Sequence, residues 1–189
     1  QRVADGLGLD KLPAPATPAL PVQDLPPSAA LSIIDNAKDT LAGRCVAILV
    51  DNGSDGAAIA GLKKAVLDAG ARVKIVAPKV GGVTLANGKK LAVDGQLAGT
   101  PSVLFDAVAL VLSDAAGKAL SREAAAVDFV RDAFGHLKAV AADAGAQAVL
   151  KAAGIQADAG VVGADEAKAF VAAACTRQWA REPSVRTLA

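Results

Sequence analysis

From Arg44 onward, apolar and polar positions fall into blocks whose period keeps switching. CVAILVD (45–51) shows almost no alternation, which predicts a strand buried on both faces. The polar turn Asn-Gly-Ser-Asp-Gly follows. Ile59, Leu62, Val66 and Ala69 then recur at helical spacing up to Gly70, predicting a helix over 56–69. ARVKIVAP (71–78) reads as the next strand, closed by Pro78. VTLANGKKLAV (83–93) is a hairpin signal, because Asn87-Gly88 suits a type I′ turn. VLFDAVALVLS (103–113) is a further buried strand, and Ser121 is placed to cap a helix through about Phe134 that Gly135 ends. HLKAVAA (136–142) reads as a strand, 143–153 as a helix closed by Gly154, and Asp165 as the start of a last helix to about Arg181, with Pro183 marking its end. This alternation predicts an α/β fold: a mostly parallel sheet with helices on both faces and a small β-hairpin.

The part before Arg44 is different. Residues 1–9, QRVADGLGL, read as the stub of an upstream helical region. In DKLPAPATPALPVQDLPP (10–27), prolines 13, 15, 18, 21, 26 and 27 prevent a helix and leave an extended, semi-rigid connector. SAALSIIDNAKDTLAG (28–43) fits either a docked segment or a short helix. The expected organisation is a stub at 1–9, a proline-rich linker and docking segment at 10–43, and one folded domain at 44–189. The chain opens Gln-Arg-Val and contains no methionine, so it reads as a piece of something longer.

Composition narrows the function classes. Lys+Arg 20 against Asp+Glu 19, without clustering, argues against a nucleic-acid partner, and 3% aromatics leaves few stacking platforms. Apolar runs are broken well short of a membrane span. Cys45 and Cys175 form no CxxC pair and read as reduced, buried small hydrophobes, which fits a cytoplasmic setting. One histidine and two separated cysteines do not supply a zinc site.

Two strand–turn–helix junctions are the candidate sites, since open α/β sheets bind ligands beyond their strand ends. The first is DNGSDG (51–56). A calcium loop would need a ligand where Gly53 stands and a bidentate Glu where Leu62 stands. Gly53 and Gly56 would let a phosphate approach, yet Asp55 puts a carboxylate there, and GSDG is not a dinucleotide fingerprint. Asp55 or Ser54 is expected to cap the helix instead. The second is AVAADAGAQAVL (139–150), where acyl-transfer enzymes of this shape carry Ser or Cys on the elbow. Here Ala141, Ala142, Asp143 and Ala144 offer no nucleophile, and His136 enters the strand at the opposite end of the sheet. The crevice candidates are therefore Asn52, Gly53, Ser54, Asp55, Gly56, Ala144 and Gly145, with no catalytic or metal-binding residue among them.

Taken in order, these junctions and their flanking blocks resemble a known family. From Arg44 on, the chain is similar to the PfpI-like branch of the class I glutamine amidotransferase-like superfamily. The stub QRVADGLGL, the proline-rich connector and the blocks GRCVAILVDNGSDGAAIAGLKKAVLDAGARVKIVAPK, GGVTLANGKKLAVDGQLAGTPSVLFDAVAL and FGHLKAVAADAGAQAVLKAAGI narrow this. Together they resemble the C-terminal domain of large-subunit haem catalases of the hydroperoxidase II type. The resemblance implies a flavodoxin-like three-layer sandwich and a non-catalytic accessory domain. It implies a homotetrameric parent that disproportionates hydrogen peroxide, with a haem and its tyrosine ligand in an upstream core, this chain having no tyrosine. Active PfpI-like proteins carry a Cys at the elbow and an acidic partner in the first helix turn. By order along the chain, Ala142 or Asp143 takes the first place and Ala58 lies near the second. The implied partners are the catalase core and neighbouring subunits. Two alternatives are chaperone-like binding of unfolding client proteins, as in some PfpI-like relatives, and small-molecule sensing in the degenerate crevice.

Overall fold

The computed structural model describes residues 2–185; Gln1, in the predicted stub, and residues 186–189, in the predicted domain, lie outside the described residues. The chain divides into two compact units, Gln1–Asn36 and Ala37–Ala189.

The first unit starts with helix α1 (Arg2–Gly6), closed where Leu9 N–H bonds the Ala4 carbonyl at 2.8 Å. Its proline-rich stretch has no regular structure, and a 3-10 turn at Ala29–Leu31 follows. The Asn36 amide ties that turn together by donating to the carbonyls of Ala29 and Ser32. Leu7, Leu12, Leu20, Val22, Leu25, Leu31 and Ile33 all stand largely exposed.

The second unit holds eight strands and six helices among the described residues: β1 (Cys45–Val50), α2 (Gly56–Asp68), β2 (Arg72–Ala77), β3 (Val83–Thr84), β4 (Lys90–Leu91), β5 (Gly95–Gln96), β6 (Ala107–Val111), α3 (Asp114–Leu120), α4 (Ala124–Gly135), β7 (Val140–Ala142), α5 (Gln147–Ala152), β8 (Val161–Gly163), α6 (Ala167–Ala174) and α7 (Glu182–Val185). Six strands form a parallel sheet in the order β5-β2-β1-β6-β7-β8. Setting aside the two-residue edge strand β5, this is the doubly wound order of flavodoxin-like folds, whose direction reverses between β1 and β6.

The near-continuous apolar strands reflect burial on both faces, because successive side chains point to opposite sides. From β1, Ala47 and Leu49 join Leu110, Phe129, Val130 and Val149 under helices α3 to α5. Val46, Ile48 and Val50 join Ile59, Leu62, Val66 and Phe170 under α2 and α6. The result is a three-layer sandwich with one core on each side of the sheet.

Several elements differ from the sequence expectation. The helix expected from Ser121 through about Phe134 is α4, which starts at Ala124 with Glu123, not Ser121, at its N-cap. The helix before it, α3, was not expected: Ser113 caps it, its hydroxyl accepting from Ala116 N–H at 3.3 Å, and Ser121 closes it. The strand expected over 136–142 is confined to β7, since His136 ends α4 and Leu137 has φ 60°. Of VLFDAVALVLS, only Ala107–Val111 is strand, with a 3-10 turn at Ser102–Leu104. The helix expected from Asp165 starts at Ala167 and stops at Ala174, and Pro183 sits inside the first turn of α7, where its missing N–H costs nothing. β5 and β8 were not foreseen. The hairpin is present as β3 and β4, but Asn87 does not take the positive φ a type I′ turn requires. Gly88 does (φ 78°), with its N–H on the Leu85 carbonyl, which gives a three-residue loop ending in a left-handed glycine. Both cysteines are free and only half-buried rather than buried.

Candidate functional site

The two junctions lie on either side of the segment that follows β6, the first against Ser113 and the second against Leu112. After β1, the chain turns through Asp51–Asp55, and Ser54 fixes the turn from inside. Its fully buried hydroxyl accepts the Asp51 N–H at 3.0 Å and lies 2.7 Å from the Asp51 carbonyl and 2.6 Å from that of Val111 in β6. Asp55, not Ser54, caps α2, its carboxylate accepting from Ala57 N–H at 2.8 Å. The place where an anion would meet the helix start is thus taken by the protein's own carboxylate.

The hairpin covers the turn. Gly53 N–H donates to the Thr84 carbonyl at 2.8 Å, Thr84 N–H to Asn52 Oδ1 at 2.9 Å, and Ala86 N–H to the Ser54 carbonyl at 3.0 Å. Gly53 has φ 81°, and a Cβ there would press on Ser113 at 3.1 Å; one on Gly56 would meet Leu85 at 3.0 Å. On the other side, the Ser113 hydroxyl donates to the Asn52 carbonyl at 3.0 Å. Asn52, Gly53, Ser54 and Gly56 are therefore brought together, but their polar groups face one another and the hairpin.

At the elbow, Ala142 is buried and Asp143 bridges two elements. Its carboxylate accepts from Leu112 N–H beyond β6 at 2.8 Å and from Ala146 N–H before α5 at 3.0 Å. Burial pushes the Asp143 carboxyl up, while those backbone donors oppose the shift. Ala144 is exposed, and Gly145 packs directly on the Leu112 carbonyl. A hollow of about 240 Å³ beside Ala142 is walled by Leu150, Ile155, Val161 and Val162, with Gln147 as its polar side chain. Ala58 is partly buried and packs its methyl against the core under α2. Neither junction pairs a nucleophile with a base. His136 is exposed at the C-terminal end of α4. Among the described residues, no group of three or more His, Cys, Asp or Glu could hold a metal ion.

Sequence reasoning missed the residues that close the crevice, Thr84, Leu85 and Ser113. A signal existed for Ser113, since Ser-Asp before an alanine-rich stretch is a helix-start pattern. None existed for the hairpin, whose bonds to the turn are backbone to backbone. Elsewhere, burial raises the pKa of the Cys45 thiol against the pull of Arg72 and Lys74. No helix among the described residues is long and apolar enough to cross a membrane.

This doubly wound sheet, with a turn after β1 and an elbow after β7, is an α/β fold of the kind found in ThiJ/PfpI-like domains. Solved structures share this fold: a ThiJ/PfpI domain protein from Brachyspira murdochii at TM-score 0.57 and 14% identity, covering 74% of this chain and 96% of that one. The two-domain protein of Anabaena variabilis with DJ-1/ThiJ/PfpI-like and ferritin-like domains matches at TM-score 0.54 and 23% identity, covering 58% of this chain and 33% of its own. Within that class the chain belongs to a particular family, the C-terminal domain found in long catalases, whose model matches residues 42–177. Catalase C of Rhizobium meliloti is 42% identical over 98% of this chain and 27% of its own length, and catalase HPII of Pseudomonas aeruginosa is 34% identical over 85% and 22%. The chain thus spans about a quarter of the length of the curated relatives it matches.

Proposed function

We propose that this chain is the non-catalytic accessory domain of a large-subunit haem catalase and that it prolongs the life of its parent on heating. The observation that carries this reading is the self-closed crevice. The polar groups of the 51–56 turn are bonded to β6, Ser113 and the hairpin, and the nucleophile's place at the elbow holds Ala142 and a carboxylate already occupied by two backbone N–H groups. Protease, deglycase or amidotransferase chemistry has no group to start from. The parent reaction, disproportionation of hydrogen peroxide to water and oxygen, follows from the relatives' being named catalases. Residues of this segment do not fit the haem. Catalase haem iron takes a tyrosine, the chain has none, and its one histidine is exposed at a helix end. The haem therefore belongs to the preceding part of the parent, and the partners of this domain are that core and the neighbouring subunits of a homotetramer. Two half-buried free thiols fit a reducing, cytoplasmic setting.

The test is a parent catalase with 44–189 removed. Peroxide turnover at ambient temperature is expected to persist, with a shorter half-life on heating; a stripped parent as heat-resistant as the intact one overturns the reading. The purified chain itself is expected to show no hydrolase, deglycase or catalase turnover. Turnover abolished by a single substitution here overturns its non-catalytic status. Chaperone-like binding draws on one specific observation, the exposed leucines, valines and isoleucines of the leading unit. Suppressed light scattering by a heat-aggregating client, lost on removing 1–36, would favour it. A ligand in the crevice would have to displace the hairpin.

A further inference from the structure

The apolar side chains that the folded unit leaves outside are not spread evenly. Among the described residues from Ala37 on, the large exposed ones are Leu67, Val80, Val103, Leu104 and Trp179. Val80 lies beyond the end of β2, on the crevice side. The other four lie at the opposite end, where the strands begin. Leu67 is in the last turn of α2, which leads back to β2; Val103 and Leu104 precede β6; and Trp179 follows Gln178, whose N–H bonds the Leu137 carbonyl ahead of β7.

Val103 and Leu104, 62% and 61% exposed, are also rigidly presented. Their 3-10 turn is closed by Leu104 N–H on the Pro101 carbonyl and Phe105 N–H on the Ser102 carbonyl. Beneath it, the buried Lys138 amine donates to the Ser102 carbonyl at 2.8 Å, and Phe105 packs on Phe129 with ring centroids 6.4 Å apart. Folding alone would turn such side chains inward; here a buried cation and an aromatic pair hold the turn with its leucine and valine outward. Beside Leu104 opens a hollow of about 250 Å³, with Phe105 and Cys45 in its wall and Arg72, Lys74 and Asp94 around it. An apolar shelf next to a recess with a charged rim is the anatomy of a protein interface.

We infer that this strand-start end, centred on Val103 and Leu104, is the surface against which the preceding body of the long catalase chain packs. The inference rests on the accessory-domain reading and adds the face it uses. Two observations choose the occupant. The chain enters the folded unit at this end: Arg44 donates to the carbonyls of Lys38, Ala174 and Cys175, and Cys45, the first residue of β1, lines the hollow. The family is a C-terminal domain, and about three quarters of the length of its relatives lies outside the match. A body tethered in the same chain meets this face as an intramolecular partner, at an effective concentration set by the connecting segment rather than by its bulk concentration.

The experiment uses the full-length parent with a photoreactive benzoylphenylalanine at position 104, irradiated and mapped by peptide mass spectrometry. Adducts to peptides upstream of Gln1 are expected. Adducts to 37–189 of a second copy, or none, overturn the proposal. In parallel, V103D/L104D in the full-length parent is expected to speed proteolytic release of the domain by about tenfold or more, as loss of two buried interface side chains implies. V80D at the crevice end is expected to leave it unchanged; equal rates for the two variants overturn the assignment. Cross-links report docking whether or not the domain protects against heat, so failure here is separable from failure of the accessory role.

Discussion

Two buried cations, within reach of the same backbone, show how partners decide what burial does to a charge. The Arg181 guanidinium is bidentate to Asp158 (2.6 and 2.8 Å), donates to the carbonyls of Phe134 and Lys138, and lies 3.8 Å over the Phe134 ring. Its charge is matched, and the pair holds the Asp158 carboxyl below the usual range, Arg181 being the main cause. Lys138 is equally buried but has only the neutral Ser102 carbonyl, with Arg177 nearby. Burial first, then Arg177, bring its pKa down to about 8, against the opposing pull of Asp106 and Asp132. The consequence is a pH dependence of stability. Because the folded pKa lies below the unfolded one, the folded state binds fewer protons between pH 8 and the normal lysine range. Stability therefore rises as the amine discharges, by about 1 kcal/mol from pH 7 to 9. Substituting Lys138→Met should flatten that rise, whatever it does to absolute stability. Denaturant titrations of both proteins at pH 7, 8 and 9 check it, and parallel pH slopes would remove Lys138 as the cause.

At the level of elements, legibility followed length. β1 and β6 were readable as uninterrupted apolar runs, α2 as a clean helical stripe ending at Gly70, and β2 because its apolar half is closed by Pro78 in spite of Arg72 and Lys74. β5 and β8 have two and three residues and carry no period to detect. α3 is seven residues between β6 and the helix placed from Ser121, too short for its period to stand out, and the apparent strand start HLK serves to end α4 and to anchor the 102–104 turn through Lys138. At the candidate site, both junctions and their missing nucleophile could be read from residue types. The closure could not, because it depends on where a hairpin thirty residues away lands. Nor could the approach of α3 to the elbow. A Cβ on Gly117 would overlap the Gly145 carbonyl, and one on Gly145 the Leu112 carbonyl. This sets propensity against packing at Gly117, a helix-interior position where alanine is ordinarily better by about 1 kcal/mol. The overlapped atoms are backbone and cannot swing aside, so packing wins. Gly117→Ala should destabilise by roughly 1–3 kcal/mol, the usual cost of overpacking. Thermal unfolding of the variant decides between them, since a raised midpoint would show that α3 can move away freely.

Across the whole chain, the apolar burial that stabilises a fold is concentrated on one side of residue 37. Both core clusters draw their residues from Leu41 onward. The leading unit instead exposes its leucines, valines and isoleucines, and its prolines keep the backbone extended and without sheet or helix bonds through 10–27. An extended strip with no cluster of its own has little to lose on unfolding, and the second unit, at about 150 residues, is near the common size of an autonomous domain. Removing residues 1–36 should therefore leave a single cooperative transition, with the midpoint shifted by a few degrees, equivalent to about 1 kcal/mol or less at this size. Arg44 is the residue to keep in such a truncation, because its bonds to the carbonyls of Ala174 and Cys175 fix the entry to β1 against the end of α6. Circular dichroism melts of the 1–189 and 37–189 chains, at matched concentration and pH, make the comparison. Loss of cooperativity in the shorter chain, or a midpoint lower by more than about 10 °C, would mean that the strip is part of the fold rather than its tether.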